Sequence, residues 1–145
     1  CKKRSLRKEK PCMKGNKQRY LNWLAFAEED LNSAKILLKG KIYNQVCFHA
    51  QQTAEKSLKA FLKSKGISLP KTHNLLELIQ ICKRKSATFG QLEENCEYLG
   101  RFYLPTRYPD AMVGSLPEGL PNRKDATRAV IKAEPVLEFV KKLLT

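Results

Sequence analysis

Apolar residues recur along much of the chain at steps of three and four, the period of an amphipathic helix. The first such stripe begins after Lys17 and ends at Gly40, a glycine that we expect to take the left-handed conformation. The charged residues of this segment, Asp30 among them, fall on other faces. A second stripe ends at Gly66, and the short connection predicts that the two helices pack antiparallel. The inward positions are Leu24, Ala27, Leu31, Ala34 and Leu38, then Val46, Ala50, Ala54, Leu58, Phe61 and Leu62.

Two shorter helical patterns follow a loop at residues 66–71. Thr72 precedes the third helix at the position of an N-cap, where its hydroxyl would accept a backbone N–H. The fourth helix is expected to begin near Thr88 and to run to about Tyr103. The apolar residues of these two helices are Leu75, Leu76, Leu78, Ile79 and Cys82, then Phe89, Leu92, Cys96 and Leu99.

The last helix follows a segment, residues 104–121, that is too rich in proline and glycine to be helical. Asn122 and Asp125 have the spacing of a capping box. Pro135 lies within the helical pattern and should kink or divide it. The predicted inner face consists of Ala126, Val130, Ala133, Leu137 and Val140. No strand-like alternation occurs, so we predict an all-α, up-and-down bundle of about five helices.

The charge of the chain is strongly positive, with 28 Lys and Arg against 14 Asp and Glu among 145 residues. This surplus favours a polyanionic partner such as a nucleotide or nucleic acid. Residues 1–19 hold nine of the basic side chains and one acid. With few apolar residues to bury, residues 1–16 are expected to be a disordered tail, which leaves residues 17–145 as the folded domain.

The five cysteines have wide, irregular spacing, which matches neither a zinc site nor a disulfide framework. Those at 47, 82 and 96 fall in helical patterns and are expected to be buried thiols in a reducing, cytoplasmic setting. No stretch is long and apolar enough for a membrane span. Motifs for Gly-rich phosphate loops and for hydrolytic or redox chemistry are missing, so we expect no metal and no cofactor.

The second helix carries a polar row as regular as its apolar stripe. Its members step by three and four residues and therefore share one face. Ammonium groups supply charge and the imidazole and amide supply directional hydrogen bonds, a combination that suits a phosphate-bearing ligand. A solvated face is the alternative interpretation. The polar row consists of His49, Gln52, Lys56, Lys59 and Lys63.

Two further features could carry chemistry. His73 is expected to be a structural hydrogen-bonding residue between the loop and the second helix. Around a Tyr-Pro turn, Arg107 could bind a phosphate, Tyr108 could stack on a base, and Asp110 could bind a sugar hydroxyl or orient the arginine. An internal Arg–Asp pair that staples the loop is the alternative.

Taken together, these sequence blocks resemble the HEPN domain, the nucleotide-binding domain named for higher eukaryotes and prokaryotes. The resemblance runs in order from about residue 21 to residue 144, and any one block alone would be weak. The blocks are Trp23-Leu24-Ala25-Phe26-Ala27-Glu28-Glu29-Asp30-Leu31, residues 34–38, Phe48-His49-Ala50-Gln51-Gln52 with residues 53–60, Lys71-Thr72-His73-Asn74-Leu75, and Thr106-Arg107-Tyr108-Pro109-Asp110.

The resemblance implies a helical bundle that pairs into a homodimer and is often encoded beside a minimal nucleotidyltransferase. Many family members are metal-independent ribonucleases that use an arginine followed, after four to six residues, by a histidine. Counted from Arg107, those positions hold Met112, Val113 and Gly114. Without the imidazole, this sequence lacks an obvious general acid or base for cleavage.

The leading hypothesis is therefore a non-catalytic HEPN module that binds a nucleotide or RNA phosphate. One alternative is a metal-independent ribonuclease toxin of a toxin–antitoxin pair, with His49 or His73 in the missing role. The other alternative is a pure protein-interaction module. The predicted ligand-binding residues are His49, Gln52, Lys56 and Lys59 with Arg107, Tyr108 and Asp110.

Overall fold

Five α-helices and one short 3-10 helix form in the part of the chain that the structure describes. The computed structural model describes residues 9–103, 116 and 119–145, with side chains from residue 17 onward. Within these residues no strand forms, which confirms the all-α prediction, and no helix has the length and apolar character needed to cross a bilayer. The helices are α1 (Glu9–Lys39), α2 (Tyr43–Ser64), α3 (Leu75–Lys85), a 3-10 helix (Ala87–Leu92), α4 (Glu93–Gly100) and α5 (Arg123–Leu144).

The first two helices form an antiparallel pair. Asp30 of α1 contacts His49 near the start of α2, whereas Trp23 lies beside Lys59 near its end. The first helix begins at Glu9, so its bounds include part of the predicted tail. The division of the chain at residue 16 stays a prediction.

The turn between α1 and α2 differs from the expectation in one detail. Gly40 follows the helix as predicted, but the left-handed residue is Lys41, with φ of 63°. The backbone N–H of Ile42 donates to the carbonyl of Leu37 at 3.1 Å. This is a Schellman motif, which places the left-handed residue one position beyond Gly40.

The start of α3 is also shifted. Asn74, rather than Thr72, is the N-cap, and its side chain accepts hydrogen bonds from the backbone N–H groups of Leu76 and Glu77. Thr72 instead accepts one from the N–H of Asn74 at 3.0 Å. Both residues can cap, and only the path of the loop decides between them. The end of α2 agrees with the prediction, since Gly66 is left-handed with φ of 73°.

The last two helices confirm the capping box and correct three other details. The fourth segment starts as a 3-10 helix, and α4 ends at Gly100 rather than near Tyr103. The Asn122 side chain and the N–H of Asp125 form the predicted box. Pro135 does not divide α5, because it lies on the solvent side, where water can satisfy the freed carbonyl one turn earlier.

The core is built around α2, which packs against each of the other α-helices. The inward residues predicted for α2 and α5 are all buried. Phe89 of the 3-10 helix lies between Phe61 and Phe139, with ring centroids 4.5 and 5.0 Å away. Burial of each such side chain contributes about 1.5–3 kcal/mol. This rigid packing fixes the polar side of α2 relative to α1 and to the segment that leads into α3.

Candidate ligand-binding site

The polar row of α2 faces α1 and the segment between α2 and α3. His49 and Lys56 both contact Asp30 of α1. The Lys59 ammonium lies 5.9 Å from the centroid of the Trp23 ring. The structure thus brings the predicted residues of α2 to one side of the molecule, where they are partly or largely buried rather than fully solvated.

Asp30 holds two members of the polar row together. Its Oδ1 lies 2.7 Å from Nδ1 of His49, and its Oδ2 lies 2.6 Å from Nζ of Lys56. An ionised carboxylate only accepts hydrogen bonds, so Nδ1 of His49 carries its proton and Nε2 is left for another partner. Lys56 has three N–H donors, of which Asp30 takes one. The site therefore offers an oriented imidazole and an oriented ammonium side by side.

Asp30 itself is 8% exposed, although the sequence analysis assigned it to a face away from the apolar stripe. That assignment is wrong, because α2 approaches α1 closely enough to cover the aspartate. The signal in the sequence is its spacing of three residues from Ala27 and four from Ala34, both of which are buried residues of the stripe. A wider apolar stripe on α1 would have included Asp30.

Glu55 is the centre of a second, more buried network. Its Oε2 accepts hydrogen bonds from Nζ of Lys59 and Nδ1 of His73, both at 2.9 Å. Burial alone would raise the pKa of Glu55, but hydrogen bonds from Lys59 and His73 and the Lys59 charge outweigh it and lower the pKa. Glu55 is therefore an anion at neutral pH, with the Lys59 ammonium and the His73 ring aimed at it.

Two glutamines complete this network. Gln51 is fully buried and donates from Nε2 to Glu55 Oε1 at 3.2 Å. Gln52 donates from its own Nε2 to the side-chain oxygen of Gln51 at 2.7 Å and to Glu55 at 3.3 Å. With its amide nitrogen directed inward, Gln52 has a carbonyl oxygen to offer a ligand. It therefore suits a base or sugar hydroxyl better than a phosphate.

His73 joins the network to the following part of the chain. Besides its ring contact with Glu55, its backbone carbonyl accepts a hydrogen bond from Gln51 at 3.3 Å. These bonds confirm the predicted structural role between the loop and the second helix. The ring also packs against Tyr103, with centroids 4.7 Å apart, and the His73 side chain is 52% exposed.

Three of the predicted ligand-binding residues lie outside the described part of the chain. Arg107, Tyr108 and Asp110 belong to residues 104–115, which the structure does not describe. Tyr103 is the last residue described before them, and it lies against His73. The roles of the three residues in a ligand site therefore stay predictions.

The remaining titratable groups do not add a metal centre. Among the described residues, no three histidine, cysteine, aspartate or glutamate side chains come close enough together to hold an ion. Cys47, Cys82 and Cys96 are buried free thiols. Burial raises the pKa of each to about 12, which keeps them protonated and unreactive.

Comparison with known proteins finds one family and a curated relative. The family model described as HEPN domain matches residues 20–143. The chain is 32% identical over 126 residues to a Methanocaldococcus jannaschii protein named "Putative toxin MJ1304". That match covers 81% of this chain and 83% of the relative.

Solved structures show the same fold. The archaeal HEPN homologue ST0689 is 28% identical with a TM-score of 0.69, covering 87% of this chain and 98% of that one. TT1696 from Thermus thermophilus is 31% identical with a TM-score of 0.71, covering 86% and 97%. An HEPN domain protein from Thermotoga maritima, tm0613, is 27% identical with a TM-score of 0.60, covering 85% and 97%.

Proposed function

The chain belongs to the HEPN domain family, and we propose that it binds the phosphate group of a nucleotide or of RNA at the polar row of α2. The observation that carries this proposal is the bridging carboxylate of Asp30, which holds His49 and Lys56 side by side. A phosphate oxygen could accept from the remaining N–H groups of Lys56 and, once the ring is protonated, from Nε2 of His49. Hydrogen bonds between charged groups are about twice as strong as neutral ones.

The ion pairs of the site balance the charge of two lysines. Asp30 offsets the charge of Lys56, and Glu55 offsets that of Lys59. Under this proposal the affinity for a phosphate therefore depends on directed hydrogen bonds as well as on net charge.

The rest of the proposal concerns residues and partners beyond the described contacts. Arg107 would add a guanidinium to the phosphate, Tyr108 would stack on the base, and Asp110 would bind a sugar hydroxyl or orient the arginine. We also propose that the protein works in the cytoplasm as a homodimer, with a minimal nucleotidyltransferase protein as a partner. These points rest on the family to which the chain belongs.

Calorimetry with nucleoside triphosphates and short RNAs tests the binding site. His49→Ala, Lys56→Ala and Arg107→Ala should each weaken binding about tenfold or more, since a hydrogen bond to a charged group contributes about 1.5–3 kcal/mol. Lys35→Ala is the matched control, because Lys35 also pairs with a carboxylate of another helix, Glu134. It should change the affinity less than twofold. Absence of binding to the wild type, or equal losses in all four variants, contradicts the proposal.

A metal-independent ribonuclease is the second candidate function. It is favoured by two imidazoles that are each held at Nδ1 by a carboxylate, His49 by Asp30 and His73 by Glu55. In cleavage, one neutral imidazole would take the proton of the 2′-hydroxyl as it attacks phosphorus. The other, protonated, would donate to the departing 5′-oxygen. The relative's name, which calls it a toxin, points the same way.

This second function has its own readout. Purified protein should degrade RNA in the presence of EDTA, and His49→Ala, His73→Ala and Arg107→Ala should each slow the reaction at least about a hundredfold, the usual size of a general acid–base contribution. Expression should arrest growth in the wild type only. If calorimetry detects binding but the RNA stays intact over hours, the protein binds its ligand without cleaving RNA, and the nuclease function is excluded.

A further inference from the structure

A group of exposed cations on α5 lies away from the polar row. Lys56 and Lys59 are paired with carboxylates of the site. By contrast, within the described part of the chain Arg123, Lys124 and Arg128 form no ion pair, and all three side chains are exposed. Cationic side chains without a carboxylate partner are the groups most available to an outside anion.

These cations line an open cleft on the outer side of α5, with a volume of about 710 Å³. No carboxylate is among the lining residues in the described part of the chain, and Ile131, which is 62% exposed, gives the cleft an apolar patch. We name this surface the α5 cleft. Its lining residues are Arg123, Lys124, Thr127, Arg128, Ile131 and Lys132.

Tyr98 of α4 braces one cation of the cleft, Arg128, together with Arg101, which is not among the described lining residues. The guanidinium carbon of Arg101 lies 4.4 Å from the centroid of the Tyr98 ring, and that of Arg128 lies 5.8 Å away. The Tyr98 hydroxyl donates to the backbone carbonyl of Asp125 at 3.2 Å, which fixes the ring against the start of α5. Guanidinium groups braced on an aromatic ring lose less freedom when an anion binds.

Lys132, which also lines the cleft, is oriented by α4 as well. It donates to Glu94 at 2.7 Å, and its backbone carbonyl accepts a hydrogen bond from Asn95. Glu94 is not among the described lining residues, although the contact with Lys132 and the Arg128 charge lower its pKa. The cleft therefore keeps a surplus of positive charge even though Lys132 is paired.

The spacing of these cations favours a repeating anion. Lys124, Arg128 and Lys132 follow one another at intervals of four residues, so they form a line along α5 with steps of about 6 Å. A single phosphate or carboxylate would meet one or two of them. A chain of phosphates can meet all three, while Ile131 contacts the sugars between.

We propose that the α5 cleft binds the sugar–phosphate backbone of an RNA strand, as a second contact surface separate from the polar row. This inference rests on the proposed function in one respect, namely that the ligand of the protein is RNA rather than a free nucleotide. The polar row contacts Asp30 and Trp23, and Lys59 of the row shares Glu55 with His73. The α5 cleft contacts α4, so an RNA strand must be long to engage both.

The experiment measures binding of a mononucleotide and of a 20-nucleotide RNA by fluorescence anisotropy at several salt concentrations. In the cleft variant, Arg123, Lys124 and Arg128 are all replaced by Gln. Its affinity for the 20-mer should fall at least tenfold, and its affinity for the mononucleotide should stay within twofold. The salt slope should fall by about 2, since each phosphate contact to a single strand contributes about 0.7.

A control variant removes the same number and kind of charges elsewhere. Arg19, Arg84 and Lys85 are exposed and lie on α1 and α3. With all three replaced by Gln, the 20-mer should bind within threefold of wild type. All substituted positions of the cleft variant are at the surface, and a thermal melt within about 3 °C of wild type verifies that it folds.

Several outcomes overturn the inference, and they differ from those that overturn the proposed function. If the cleft and control variants lose the same affinity for the 20-mer, net charge alone explains the effect. If the cleft variant loses as much affinity for the mononucleotide as for the 20-mer, the cleft and the polar row are a single site. A wild type that binds nucleotides but not RNA rejects the cleft alone, and one that binds neither rejects both proposals. A change of oligomeric state in the cleft variant would assign the surface to a contact between copies of the chain. Binding to phosphatidylserine vesicles without RNA, if it needs the three cations, would assign the surface to a membrane.

Discussion

Two buried carboxylates organise the polar side of α2. Asp30 orients His49 and Lys56, and Glu55 orients Lys59 and His73. The cationic residues were identifiable from their spacing along one helix. The anionic partners were not identified. Asp30 lies on a different helix, so its position carries no periodic signal of the contact. Glu55 lies outside the polar row, although its place four residues before Lys59 is the spacing of a helical ion pair. Without those partners the lysines would carry free charge, so the carboxylates decide what the row can bind.

Glu55→Gln tests the importance of the more buried carboxylate. The substitution leaves Lys59 buried without an anion, and loss of one partner of a buried pair costs about 3–5 kcal/mol. We expect the free energy of unfolding to fall by about 3 kcal/mol at pH 7, the lower end of that range, because the glutamine retains hydrogen-bonding groups. Urea unfolding followed by circular dichroism measures it.

The same variant should show a defined pH dependence. Because the folded-state pKa of Glu55 lies below its ordinary value of 4.5, its ionisation stabilises the fold fully above that value and progressively less as the pH falls through the lowered pKa. The difference in the free energy of unfolding between wild type and Glu55→Gln should therefore become smaller below about pH 4.5. Glu94→Gln is the control, since Glu94 also pairs with a lysine but is 78% exposed, and its midpoint should match that of wild type. A difference for Glu55→Gln that stays constant as the pH is lowered from neutral into the acid range would contradict this account.

At the scale of elements, the order of the helices and most of their inner faces followed from the sequence, while several termini did not. Asn122 and Asp125 were identified from their spacing and form the capping box. At other helix ends two nearby residues could fill the same role. The structure uses Asn74 as the N-cap of α3 and Lys41 as the left-handed residue after α1. Such choices depend on the direction in which the chain must leave, which is set by packing between helices.

Asn122→Ala should destabilise the protein by about 1 kcal/mol, because the N–H of Asp125 loses its acceptor and the box is broken. The midpoint of urea unfolding reports the loss. Asn32→Ala is a matched control, as Asn32 is exposed within α1. Alanine is the better helix former there, so the control should be neutral or slightly stabilising. Equal midpoints for wild type and Asn122→Ala would show that the cap contributes nothing.

For the whole molecule, the distribution of charge matters more than its total. Ion pairs join α1 to α5 through Lys35 and Lys141, and α4 to α5 through Lys132. Such surface pairs contribute little stability, but they neutralise cations. Within the described chain, surplus positive charge is therefore left where carboxylates are missing, as it is at the α5 cleft.

Deletion of residues 1–16 tests the predicted division between tail and domain. Among the described side chains, the hydrophobic residues that pack into the core begin at Leu21, so we expect the shortened protein to fold. Its melting temperature should lie within about 3 °C of that of the full chain, which corresponds to less than about 1 kcal/mol. Differential scanning calorimetry measures the shift. A shortened protein that fails to melt cooperatively would mean that the segment belongs to the domain.

The sequence by itself determined the class of fold, the approximate number of helices and most residues of their inner faces. Those features depend on local periodicity and on the burial of apolar surface, which neighbouring residues encode directly. Only the tertiary structure decided that Asp30 is buried and neutralises Lys56. It also decided that His73 meets Glu55 and that Arg128 meets the Tyr98 ring. Such partners are chosen by distance in space, and residues far apart in the chain carry no periodic signal of that distance.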